Sequence, residues 1–137
     1  MSESNPNMRS IVAQGWTTMF IVFLAMSTLE LTKSAVAGDF SNFIKDPGTE
    51  GLKFLIVIMV IYILMPMLVR SIAAHWFRWA VVGITVLFTL LWIAHQVHHL
   101  VEGDKLFDIL QAIDFFHHVL GAWVTVAAVK WARQRYI

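Results

Sequence analysis

The sequence predicts an all-α integral membrane protein, a four-transmembrane-helix up-and-down bundle with a short interfacial helix before the last span. Three observations predict it. Hydrophobic residues make up 58% of the 137-residue chain and charged residues 14%, against about 25% charged in a typical soluble domain. Four apolar runs, about 9–33, 51–70, 78–101 and 114–132, match the roughly 20 residues a helix needs to cross a bilayer. The connections between the runs are short, which favours antiparallel neighbours. Length makes residues 1–137 one domain, and no internal repeat, low-complexity tract or linker divides it.

The first span follows a polar leader, residues 1–8. Arg9, the apolar run 11–26 and Ala35-Val36-Ala37 imitate the three regions of a signal peptide. The interval between run and cleavage-like site is too long for one and contains Glu30 and Lys33, so the segment reads as a transmembrane helix. Residues 34–50 form a loop, with a short helical turn expected at 40–44 and a turn at Asp46-Pro47-Gly48. The second span is almost unbroken Ile, Val, Leu and Met, with Pro66 expected to kink its last turns. Residues 70–78 (RSIAAHWFR) are a basic and aromatic connector suited to a membrane interface.

The third span ends in His95-x-x-His98-His99, and Glu102-Gly103-Asp104 breaks it. Residues 105–113 are amphipathic and are expected to lie at the interface or to form the first turns of the last helix. The fourth span opens with Asp114-x-x-His117-His118 and ends in a basic, aromatic tail. Gly15, Gly83 and Gly121 are candidates for close helix contacts. Arg9, Arg70, Arg78, Lys130, Arg133 and Arg135 fall on one side of the predicted topology. Lys33, Lys45, Lys53 and Lys105 fall on the other, together with most of the acids. This bias predicts cytoplasmic termini and, in a bacterial inner membrane, histidines toward the periplasm.

Five of the six histidines therefore occupy two clusters at one membrane level, where buried polar groups are costly without partners. Residues three and four apart share a helical face, so His95 groups with His98 and His99, and Asp114 with His117 and His118. The topology adds Glu30 at the end of the first span and Glu102 after the third. The candidate metal ligands are thus His95, His98, His99, His117, His118, Asp114, Glu30 and Glu102. Imidazole with carboxylate suits copper, iron or zinc, with geometry deciding among them, and the acids suit the orienting of a ligating histidine. The expected role is redox, as electron transfer or metal-dependent oxidation of a lipophilic substrate such as a quinol, or metal handling. No catalytic residue can be singled out.

Haem b is the rival occupant, held axially by His95 or His98 facing His117. Two further readings use no bound group. One is a non-catalytic accessory subunit of a larger membrane complex or homo-oligomer. The other is a proton or ion conductor that uses Glu30, the histidines and Asp114 as relay. The absence of cysteine removes disulfides, thiolate metal sites and iron–sulfur clusters. A net charge of +1 gives no reason to expect nucleic acid, and no phosphate loop, H-E-x-x-H or nucleophile elbow is present. His95-x-x-His98-His99 resembles one of the histidine boxes of membrane desaturases and hydroxylases. The likeness covers that box alone, and those families carry more histidines on much longer chains.

Overall fold

The computed structural model describes residues 6–38, 49–101 and 109–134. Four helices account for almost all of them: α1 (Pro6–Ala37), α2 (Thr49–Ser71), α3 (His75–Val101) and α4 (Ile109–Arg133). No strand occurs among the described residues. Pro6 opens α1, where its missing N–H is no loss. Gly38 closes it at φ 65°, its N–H donating to the Ala35 carbonyl at 3.3 Å. α2 continues through Pro66, which removes the helical hydrogen bond to the Tyr62 carbonyl one turn back.

Among the described residues three segments are long and apolar enough to cross a membrane: Met8–Ala37, His75–Ala94 and Ala112–Arg133. The described apolar part of α2, Ile56–Ser71, is shorter than a full span. The connection after α2 differs from the sequence reading. The connector expected over 70–78 shrinks to residues 72–74, because α2 runs on to Ser71 and α3 starts at His75. Of the two placements expected for 105–113, residues 109–113 take the second, as the first turns of α4 and not a separate interfacial helix, and 105–108 lie outside the described residues. So do the turns expected at 40–44 and at Asp46-Pro47-Gly48.

α1 packs against α2 and α4, and α4 packs against α3. All three pairs are antiparallel. Arg9 at the start of α1 donates to the Val69 carbonyl at the end of α2 (2.7 Å), while Trp16 meets Tyr62 further in. Arg78 at the start of α3 donates to the carbonyls of Trp131 (3.3 Å) and Gln134 (2.8 Å) at the end of α4. Deeper along that pair Trp92 lies against His117.

One series of buried positions on each helix recurs at alternating steps of three and four. It includes Val12, Trp16, Met19, Phe23 and Met26 on α1, and Val81, Thr85 and Phe88 on α3. On α4 they are Asp114, His117, Gly121, Val124, Ala128 and Trp131. This spacing keeps one stripe of each helix against its neighbours, as in left-handed bundles. The opposite faces, with Ile21, Leu87, Leu90, Phe115, Val119 and Val126, are exposed apolar surface suited to lipid. Hydroxyls are satisfied within their own helices, Thr17, Thr28, Thr85 and Thr125 each donating to the carbonyl four residues back at 2.7–3.1 Å. Hydrocarbon offers no other partner.

Two glycines make close contacts. A Cβ on Gly15 would collide with the Val124 side chain, and one on Gly121 would sit 2.9 Å from Thr89 Oγ1. Gly83 is different, with nothing within 4 Å of such a Cβ. It lies on the exposed face of α3 and takes no part in a helix contact. Gly15→Ala and Gly121→Ala are therefore expected to destabilise the detergent-solubilised protein by about 1–3 kcal/mol through overpacking. Gly83→Ala should be neutral or add up to about 1 kcal/mol of helix propensity. Thermal unfolding of the three variants checks this, and equal losses at Gly83 and Gly15 would contradict the packing.

Candidate functional site: a buried aromatic and histidine cluster

Side chains from all four helices converge near the middle of the bundle. α1 supplies Trp16, Phe20 and Phe23, whose spacing of four and three puts them on one face. α2 supplies Tyr62, α3 supplies Phe88 and Trp92 one turn apart, and α4 supplies His117. Tyr62 is the hub and is fully buried. Phe23 and Phe20 stack on its ring at 5.5 and 5.9 Å between centroids. Trp16 and Phe88 meet it edge-on at 5.8 and 5.4 Å. Such aromatic pairs contribute about 0.5–1.5 kcal/mol each beyond area burial.

The Tyr62 hydroxyl, carried by α2, reaches both α3 and α4. Trp92 Nε1 donates to it at 3.1 Å, and it lies 3.0 Å from His117 Nε2. An indole N–H only donates, so the phenol oxygen accepts from Trp92. The buried phenol proton still needs an acceptor of its own, and His117 Nε2 lies within hydrogen-bond reach of it. Nε2 of His117 is then the acceptor, and Nδ1 carries the ring proton. The ring also lies near the main chain of Met19 on α1. The His117 ring also packs edge-on against Trp92 at 4.9 Å, so Trp92 walls the site as well as bonding within it.

The neighbouring histidine is arranged differently. One residue along a helix turns a side chain by about 100°, so His118 cannot share the seam with His117. It is half-buried, with Nδ1 2.6 Å from the Asp114 carbonyl one turn back. A carbonyl only accepts, so Nδ1 carries a proton, and in the neutral ring the lone pair is on Nε2. Nε2 is enclosed and makes no hydrogen bond among the described residues. A ligating histidine is commonly held this way, its other nitrogen donating to a main-chain carbonyl. The Asp114 side chain is 6% exposed, on the same buried stripe as His117.

The predicted residues are thus divided. Asp114, His117 and His118 occupy the first three turns of α4, two on the buried seam and one beside it. His95, His98 and His99 lie on the last two turns of α3, beyond Trp92, and their side chains lie outside the described residues. Glu102 lies outside them entirely. Glu30 continues the buried stripe of α1 four residues after Met26, but its side chain is exposed and is not in the cluster. No group of three or more metal-binding side chains occurs among the described residues. His75 is exposed at the opposite end, where its Nε2 accepts from Trp79 Nε1 at 3.2 Å. Tyr62 is the residue the sequence reading missed. The signal was present, since it is the only tyrosine within an apolar run, and its hydroxyl needs a partner in hydrocarbon.

No protein-family model matches this chain, and no curated protein or solved structure matches it either.

The cluster predicts a graded response at Tyr62. Tyr62→Phe keeps the ring contacts and removes the hydroxyl, which should cost about 1–3 kcal/mol. Tyr62→Ala loses the rings as well and should cost about 3–5 kcal/mol. Thermal unfolding in detergent separates the two, and equal losses would place the stabilisation in the hydroxyl rather than in the aromatic packing.

Proposed function

We propose that this chain spans the membrane four times and holds a transition metal at the end of the bundle where α3 ends and α4 begins. It would serve in electron transfer, in oxidation of a lipophilic substrate such as a quinol, or in metal handling. One observation carries the reading. His118 is held by the Asp114 carbonyl with its Nε2 lone pair enclosed and unused, and α3 carries His95, His98 and His99 on its last two turns. Within this reading His118 is a ligand, and the three histidines of α3 supply further ones. Asp114, Glu102 and Glu30 are the available carboxylates. His117 acts differently, because its Nε2 is engaged by Tyr62. It binds metal only by giving up that bond, and otherwise stands behind the site. Copper, iron and zinc all accept imidazole with carboxylate, and a zinc site would take four such ligands if structural or three if catalytic.

The fourth crossing rests on α2 being helical over 23 residues, about 35 Å at 1.5 Å per residue, against roughly 30 Å of hydrocarbon. Arg9, Arg70, Arg78, Lys130 and Arg133 gather at one end of the antiparallel bundle, which supports a cytoplasmic placement of both termini. In a bacterial inner membrane the histidine end then faces the periplasm. Haem b between His95 or His98 and His117 is the competing occupant, and it requires His117 Nε2 to exchange Tyr62 for iron.

An absorption spectrum with elemental analysis, on protein purified without His-tag or chelator, tests this reading. The expected result is about one or two equivalents of copper, iron or zinc and no Soret band. His118→Ala and His99→Ala should each lower bound metal while the helical circular dichroism stays unchanged. Metal content unaffected in both variants would overturn the ligand assignment. A Soret band would transfer the site to haem, and a colourless, metal-free protein would favour the accessory-subunit or proton-conducting readings.

A further inference from the structure

We propose that Tyr62 is a one-electron redox site, oxidised to a neutral tyrosyl radical as its phenolic proton crosses the hydrogen bond to His117 Nε2. Three features of the geometry carry this. The donor–acceptor distance of 3.0 Å lies within the range for direct proton transfer. The buried phenol proton needs an acceptor, and His117 Nε2 is within hydrogen-bond reach of it while Trp92 donates to the same oxygen at 3.1 Å. The ring is fully buried among Trp16, Phe20, Phe23 and Phe88, which keeps water and external reductants from a radical formed there.

The step balances. One electron leaves the phenol for a one-electron oxidant, the phenolic O–H bond breaks, and an N–H bond forms at Nε2. His117 is left as an imidazolium with both nitrogens protonated, and the Trp92 N–H remains on the phenoxyl oxygen. Reduction returns the electron to the ring and the proton to the oxygen. In the protein the oxidant is a high-potential transition-metal centre of the kind proposed at the α3–α4 end, and to that extent the inference rests on the proposed function. The geometry at Tyr62 itself needs no metal, so the two readings fail separately.

The test supplies the oxidant from outside. Protein in detergent is flashed with a ruthenium(II) polypyridyl and a sacrificial acceptor, which generates ruthenium(III), and is frozen for electron paramagnetic resonance. A tyrosyl signal is expected in the wild type, its loss in Tyr62→Phe, and its retention in Tyr136→Phe, the other tyrosine of the chain. Formation of the radical should slow in deuterium oxide, because a proton moves with the electron. Tyr62→Phe keeps the ring, and its circular dichroism shows whether the bundle is intact. A wild type with no tyrosyl radical would overturn the proposal. So would a signal that survives Tyr62→Phe, or oxidation that settles on tryptophan instead. Each of these results leaves the metal reading where elemental analysis puts it.

Discussion

The hydroxyl of Tyr62 is the interaction on which the rest of this bundle depends. It ties α2 to α3 through Trp92 and to α4 through His117, while its ring ties α2 to α1 through Phe20 and Phe23. α2 and α3 follow each other in the chain, yet the close backbone packing is between α1 and α2, α1 and α4, and α3 and α4. Tyr62 therefore spans a gap that backbone packing leaves. In an aqueous protein such a hydroxyl can find water. In hydrocarbon it must find protein, and the only arrangement that satisfies it draws three helices to one point.

The same rule explains the two ends of the bundle. At the basic end Arg78 is 1% exposed and bonds to main-chain carbonyls at Ala73, Trp131 and Gln134, with its guanidinium 5.7 Å from the Trp131 ring centroid. The last carbonyls of a helix have no partner inside it, and a fork of N–H donors suits them. Arg9 does the same for Val69. Arg9 and Arg78 therefore close helix termini at this end. The other end carries the paired histidines of α4. Of these, His117 is engaged across helices and His118 is held only by its own helix. That difference is what gives two adjacent histidines different chemistry.

The aromatic cluster and His117 are one structure rather than two. Trp92 bonds to Tyr62, packs on His117 and precedes His95 by less than one turn. A change of charge or ligation at the histidine end would reach Tyr62 through these contacts. In the reverse direction, the aromatic packing fixes the ring orientation on which any ligand geometry at His117 depends.

Helicity, the membrane setting and the grouping of Asp114 with the following histidines were legible in the sequence, because they follow from hydropathy and from spacings of three and four. The close approaches at Gly15 and Gly121 were legible too, but not their difference from Gly83, since a glycine carries no record of which face it occupies. Exposure of Glu30 was equally undetermined, because it lies at the end of a buried stripe and its burial depends on what packs beyond Met26. The histidine pair was visible as a pair but not as two roles. Only the tertiary structure decided that Nε2 of His117 faces a phenol from α2 while Nε2 of His118 faces none, because hydrogen bonds between residues 55 apart depend on how helices are set against each other. Local periodicity determines each helix and its buried stripe. The partner across the stripe is a property of the packed bundle.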